Sequence, residues 1–401
     1  MSDTFNNLGI CPEIMGVLDR LRFTIPTPIQ HQSIPAGLAG KDIIGIAQTG
    51  TGKTLAFGIP MVQRLQTIPG RGLILLPTRE LALQVNETLQ RVARPFNMST
   101  AVLIGGESMF HQIASLRRRP RVLVATPGRL LDHMQQKLVS LEDISVLVLD
   151  EADRMFDMGF APQINQIIRR LPTNRQTLLY SATMPHAIVN IATSHMKLPV
   201  RVEVAPSGTA AENVEQEIIV VEKDAKQALL ETVLLENEGT VLVFSRTKIG
   251  ARKICRNLSF KGHKVSEIHA DRSQAQRKQA LAGFKTGRYR ILVATDIAAR
   301  GIDVKNIGLV INYDLPDNSE DYVHRIGRTG RAGLEGKAIS FATPDQRWDV
   351  KDIEKLIRKT LKIVSLPGSS SFIESAAKSA PGRTRSFKPR RGHTPRFRRF
   401  R

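Results

Sequence analysis

Short apolar runs, many of them β-branched, recur along this chain, and each leads through a polar or glycine-containing cluster into a stretch long enough for a helix. Runs of this kind suit strands buried on both faces, and helix-length connections suit parallel strands, so the rhythm predicts α/β layers. Six candidate strands fall at 43–46, 72–76, 101–104, 121–125, 146–149 and 177–180, enough for one doubly wound domain. The small, non-periodic stretch 205–211 then reads as a linker. The rhythm restarts at 217–221, 241–244, 264–268, 290–294, 308–311 and 338–341. The expected fold class is α/β, with two doubly wound parallel-sheet domains at 1–205 and 214–365 joined by a short linker at 206–213. A length of 401 residues, at roughly 150 per domain, agrees.

From about residue 366 the apolar rhythm stops, and 366–401 is rich in Arg, Pro, Ser and Gly. Such a segment buries too little apolar surface to offset its ordering entropy, so a disordered basic tail is expected. Residues 378–401 hold ten Lys/Arg and no Asp/Glu, which leaves +11 of the net +21 on the rest of the chain. A balance this basic throughout points to a polyanionic partner, nucleic acid above all. Phe387, Phe397 and Phe400 lie among the tail arginines, a composition suited to base stacking as well as phosphate attraction. Cys11 and Cys255 are far apart and lack a Cys or His partner at metal-ligand spacing, so neither a disulfide framework nor a zinc module is indicated. No apolar run approaches the roughly 18 residues of a membrane helix, and the opening residues lack a signal-peptide pattern, so a cytoplasmic protein without a membrane partner is expected.

The strongest local signal is Ala47-Gln48-Thr49-Gly50-Thr51-Gly52-Lys53-Thr54, between a candidate strand and a helical stretch at 55–65. A glycine-rich turn at a helix N-terminus presents backbone N–H groups to phosphate; Lys53 reaches the β- and γ-phosphates and the Thr54 hydroxyl binds Mg²⁺. The strict pattern has Gly where this chain has Ala47. The strand at 146–149 runs directly into Asp150-Glu151-Ala152-Asp153. There Asp150 is placed to hold the hydrated Mg²⁺ and Glu151 to orient and deprotonate an attacking water. Together the two motifs indicate hydrolysis of a nucleoside triphosphate.

With these motifs the sequence resembles the DEAD-box RNA helicases of superfamily two over roughly residues 5–345, and the acidic motif spells the family's name. The compact build and short tail are similar to the small bacterial members, RhlE-like proteins among them. The resemblance implies two RecA-like domains, an RNA-stimulated ATP hydrolase, and ATP and Mg²⁺ as cofactors. Phe23-Thr24-Ile25-Pro26-Thr27-Pro28-Ile29-Gln30 looks like the adenine-reading Q motif, with Phe5 as its upstream aromatic and Arg22 where the family often has Gly. By the same resemblance, Gln30 reads the adenine edge and Phe23 stacks on the base. Gln48, Thr49, Gly50, Thr51, Gly52, Lys53 and Thr54 bind the nucleotide, Asp303 contacts the ribose, and Arg328 and Arg331 act as arginine fingers on the γ-phosphate. Asp153, Ser181, Thr183 and His324 couple hydrolysis to strand separation.

RNA contacts carried over on matching motifs are Pro77, Thr78, Arg79, Gly105, Gly106, Thr126, Gly128 and Arg129 in the first domain, and Arg246, Gln274, Arg277, Thr295 and Asp296 in the second. Most follow the C-terminal ends of candidate strands, where open α/β sheets bind ligands. The function implied is local, non-processive opening or remodelling of short RNA duplexes and RNA–protein complexes. The partners implied are single-stranded RNA, short duplexes, and ribosomal precursor particles or RNA-degradation machinery, with a monomer as the default. Two other readings stay open at this point: an ATP-gated RNA clamp or annealing chaperone, which the basic tail motivates, and a DNA translocase, against which Asp153 and Gln30 speak.

Overall fold

The computed structural model describes residues 4–48, 50–204, 214–299, 304, 307–330 and 335–365. The expected linker at 206–213, the tail at 366–401, and Thr49, Asp303 and Arg331 lie outside the described residues.

The first sheet is built from β1 (Ile43–Ile46), β2 (Arg71–Leu75), β3 (Thr100–Leu103), β4 (Val122–Ala125), β5 (Ile144–Leu149), β6 (Gln176–Ser181) and β7 (Val200–Glu203). The second uses β8 (Val214–Val220), β9 (Val241–Phe244), β10 (Val265–Ile268), β11 (Ile291–Ala294), β12 (Leu309–Asn312), β13 (Gly336–Ala342) and β14 (Lys362–Ser365). Their spatial orders are β3-β4-β2-β5-β6-β1-β7 and β10-β11-β9-β12-β13-β8-β14. Position for position the two orders are the same, so the chain builds one topology twice. Every strand pair is parallel; Leu73 faces Leu147 across β2 and β5, and Val243 faces Ile311 across β9 and β12.

Each sheet separates two apolar layers. Ile74, Val146, Val148 and Leu178 enter one first-domain core, while their neighbours Leu73, Leu147, Leu149 and Leu179 enter the other. The same alternation sends Leu242 and Val310 to one second-domain core and Val243 and Ile311 to the other. This two-sided burial is why the central strands read as continuous apolar runs. Each sheet has seven strands where the apolar runs predicted six. The two that the pattern misses, β7 and β14, are edge strands carrying charged or polar side chains, as edges commonly do. Among the described residues no helix is long and apolar enough to cross a membrane.

Candidate functional site

The parallel sheets place the C-terminal ends of β1, β2, β4, β5 and β6 on one edge of the first domain, and the candidate residues hang from those ends. β1 delivers the glycine-rich loop into the helix Lys53–Thr67. Ala47, the departure from the strict pattern, is buried in the core layer, so its methyl group packs inward. Gly52 takes a left-handed φ of 89°, and a Cβ there would lie 3.1 Å from Thr27 Oγ1 and overlap the Gln30 amide, so the loop needs glycine at this point. Thr51 Oγ1 donates to Gln48 O at 2.8 Å, closing the turn on itself. The buried Lys53 Nζ donates to Ala47 O at 2.9 Å and stands 3.9 Å from Asp150 Oδ1.

Gln30, on the helix Pro28–Leu38, accepts from Thr27 N at 2.9 Å and donates through Nε2 to Gly52 O at 3.0 Å. Its amide therefore ties that helix's first turn to the phosphate loop, with one N–H and one lone pair left for a base. Phe23 is 44% exposed and offers a ring face. Phe5, expected beside it at the nucleotide, is instead 2% exposed within the first-domain core, and a ring with no accessible face cannot stack on a base. Arg22 sits at φ 59°, its amide bonded to Asp19 O at 2.9 Å, which accounts for the glycine common at this position.

β5 ends in the acidic cluster. Asp150 is buried, accepts from Glu151 N at 2.9 Å, and is pushed up to about 6 by desolvation, which Lys53 only partly opposes. Glu151 is left-handed at φ 50°, ψ 49°, and opens the helix Ala152–Asp157. Its Oε2 is buried without a hydrogen bond, 3.7 Å from Arg154 Nε. Asp153 is fully employed: Oδ2 accepts from Ala182 N at 3.0 Å, Thr183 N at 2.8 Å and Thr183 Oγ1 at 3.1 Å, while its own N–H reaches Ser181 Oγ at 3.1 Å. The ends of β5 and β6 are thus joined through one carboxylate.

Asp150 supplies a test by pH. An acid whose folded-state pKa lies above its unfolded value destabilises the fold once ionised, so this part of the stability is present below about pH 4 and lost as pH rises through about 6. Asp150→Asn removes the penalty, and about two pKa units amount to roughly 3 kcal/mol. Urea unfolding without nucleotide should show the variant gaining on the wild type between about pH 4 and 6.5 and then holding its lead; a difference independent of pH would refute this.

Second-domain groups approach from the other side. Arg154 is 1% exposed with Nε and Nη2 unbonded, and it lines a small cavity with Phe244, Asp296, Asp321, His324, Arg325 and Arg328. Arg325, on the helix Ser319–Ile326, grips Asp296 bidentately at 2.5 and 2.7 Å, donates to Asn312 Oδ1 at 3.2 Å and Asp314 O at 2.6 Å, and lies 5.1 Å from the Phe244 ring centre. Asp296, expected on RNA, is engaged here as Arg325's partner. Arg325 carries no distinguishing signal in the sequence, because nothing in a run of arginines marks which one turns inward.

The expected RNA groups line the same edge. Thr78 Oγ1 accepts from Leu81 N at 3.3 Å and caps the helix Arg79–Ala93, behind the buried Pro77. The Arg79 guanidinium lies across Gly105 and Gly106; a Cβ on Gly106, at φ 73°, would overlap it. Thr126 N donates to Leu103 O at 3.0 Å, Gly128 faces open space, and Arg129 Nη1 donates to Glu107 O at 3.2 Å. In the second domain Arg246 is exposed, with its N–H on Asp314 Oδ2 at 3.1 Å, and Thr295 N bonds Ile268 O at 3.3 Å. On the helix Gln274–Lys285, the buried Gln274 has no hydrogen bond from either amide atom. Arg277, expected on RNA, instead donates to Glu80 Oε2 of the first domain at 2.8 Å, and Lys278 Nζ reaches Glu107 Oε1 at 2.7 Å. Glu107 and Lys278 carry no signal in the sequence, since they meet across 171 positions, and Glu80, within the motif at 77–81, carries none of its pairing with Arg277; Arg154 shows its importance only through His324 and Arg328, which line its cavity from the other domain.

Comparison with known proteins places this geometry. The family model for DEAD/DEAH box helicases matches residues 27–191, and that for the helicase conserved C-terminal domain matches 224–333. The chain is 41% identical over 380 residues to the ATP-dependent RNA helicase DbpA of Bacillus subtilis, covering 94% of this chain and 78% of that protein. It is 39% identical over 377 residues to the DEAD-box ATP-dependent RNA helicase CshA of the same organism, covering 93% and 76%. The solved structure of S. cerevisiae Dbp5 bound to RNA and ADP BeF3 superposes with a TM-score of 0.82 at 31% identity, over 90% of this chain and 96% of that one. With both domains matched in order and the motifs gathered on facing sheet edges, the chain belongs to the DEAD-box RNA helicases.

Proposed function

We propose that this protein couples ATP binding and hydrolysis to local, non-processive opening of short RNA duplexes and remodelling of RNA–protein complexes. The observation that carries this reading is Arg154 of the first domain, buried 3.7 Å from Glu151 and lining one cavity with His324 and Arg328 of the second. Hydrolysis then requires the domains to meet, and the same meeting joins the two halves of the RNA edge through Arg277 and Lys278. Glu151 takes the proton of the water attacking the γ-phosphate, while Lys53 and Arg328 stabilise the negative charge on the transferring group. Arg331 serves as a second finger and Asp303 holds the ribose in this proposal. Asp153 carries the rearrangement to Ser181–Thr183.

The residues present suit Mg²⁺: Asp150 is a desolvated carboxylate that favours a cation, and Thr54 lies in the first turn of the helix whose Lys53 stands 3.9 Å from Asp150. Asp150 and Thr54 would hold the ion, which would supply positive charge to stabilise the phosphates during transfer. Contacts made by backbone amides, hydroxyls and arginines suit sugar and phosphate, so recognition is largely independent of sequence. On this reading the chain comprises domains at 1–205 and 214–365, a linker at 206–213 and a basic tail at 366–401 that strengthens RNA binding, and it acts as a cytoplasmic monomer on ribosomal precursors or in RNA decay.

ATP turnover measured alone, with single-stranded RNA and with matched single-stranded DNA tests the substrate class. Strong stimulation by RNA only is expected, and equal stimulation by DNA overturns the RNA assignment. Deleting 366–401 should leave core turnover in place while making RNA affinity less steeply dependent on salt, because up to ten phosphate-neutralising cations are removed. An unchanged slope refutes the role given to the tail.

A further inference from the structure

We propose that Phe110 is a base-stacking shelf for the single strand as it passes Gly105 and Gly106. The inference rests on the RNA reading above and adds a base contact to a track otherwise built for backbone. Phe110 is 74% exposed, in the first turn of the helix Met109–Arg117, which begins three residues past the glycine pair. Its ring stands edge-on to His111, with centres 6.0 Å apart.

Three cations from three elements surround that turn. Arg79 lies across the glycines, Arg129 Nη1 holds Glu107 O at 3.2 Å, and Lys278 reaches Glu107 Oε1 from the second domain at 2.7 Å. A phosphate drawn to this cluster brings its nucleotide within a helical turn of an aromatic face. The shelf is also held firmly. Gln112, two residues on, is buried, donates to Ile104 O at 2.8 Å and is hydrogen-bonded through Oε1 to the fully buried His133 at 3.0 Å. The helix's first turn is therefore fixed to the end of β3 and to the helix Pro127–Gln135 that carries Gly128 and Arg129. A rigid ring beside cations is how single strands are held without sequence preference, since every base has a π-face. A protein partner is the weaker fit, because Arg79, Arg129 and Lys278 make the approach to this turn cationic rather than apolar.

The test uses full-length protein, the non-hydrolysable analogue AMP-PNP, and RNA oligonucleotides with one abasic position moved along the strand. With wild type, a single position should weaken binding about five- to tenfold when its base is removed. Phe110→Ala should weaken the intact strand by the same factor and become indifferent to the base at that position. Phe110→Trp should restore both, and the difference should persist at higher salt, where phosphate contacts fade. Equal melting temperatures, expected for so exposed a side chain, verify that the variants fold. Equal RNA affinity in the Ala, Trp and wild-type proteins, as when the ring serves a protein partner, overturns the shelf alone. Failure of wild type to bind RNA with AMP-PNP overturns the parent reading and the shelf with it.

Discussion

Glu151→Gln is expected to lower RNA-stimulated ATP turnover by about 10²- to 10⁴-fold, the usual worth of a positioned general base. The side chain is buried, its Oε2 has no hydrogen bond, and its backbone occupies the left-handed region at φ 50°. A buried carboxylate oxygen with an ion-pair neighbour in Arg154 but no hydrogen bond, together with a strained backbone at the same residue, marks a position where stability is given up for chemistry. Glutamine keeps the shape and the backbone requirement but cannot accept the proton, so folding and ATP binding should survive. Because the steps before hydrolysis remain intact, the variant should also dwell on RNA in the presence of ATP, held with its domains together. Single-turnover hydrolysis and RNA dissociation rates measure the two effects. Turnover within a factor of three of wild type would remove Glu151 from the role of base and leave Asp150 or a water chain to explain proton transfer.

The parallel sheets were legible because their central strands are buried on both faces and so appear as unbroken apolar runs. The edge strands β7, Val-Arg-Val-Glu, and β14, Lys-Ile-Val-Ser, have solvent on one side and no such signature. Lys53, Asp150 and Glu151 could be placed because Asp150 and Glu151 directly follow a strand that the rhythm locates, and Lys53 opens the helix after the glycine-rich loop that leaves another. The charged pairs could not. Arg277 and Glu80 are 197 positions apart, and Arg325 meets Asp296 only after β11 and the helix Ser319–Ile326 have packed. Whether an arginine near a nucleic-acid edge meets a phosphate or a carboxylate depends on that packing. Spacing places such a residue on the right edge, and the neighbouring fold decides what it touches.

The Arg277–Glu80 pair should govern domain closure. Both side chains are nearly inaccessible, and the two carboxylate and guanidinium atoms meet at 2.8 Å; burial pulls the Arg277 pKa below its ordinary value, with Glu80 opposing. Glu80 Oε1 and Arg277 Nε have no other partner, so each ion depends on the other for compensation. Removing one charge from a buried pair costs about 2–5 kcal/mol, since the survivor is left desolvated and unpaired. Here the protein has an escape, because parting the domains returns the survivor to water. The loss should therefore appear in the closed-state population rather than in the stability of either domain. Probes on exposed positions of the two domains, read by energy transfer with RNA and AMP-PNP present, should report a large shift toward the open state for both Glu80→Gln and Arg277→Ala. The two variants also separate this role from a direct RNA contact. If Arg277 served RNA alone, Glu80→Gln would strengthen RNA binding by removing a negative charge beside the phosphates, while Arg277→Ala would weaken it. If the pair closes the cleft, both substitutions weaken nucleotide-dependent RNA binding alike, and combining them adds little to either one.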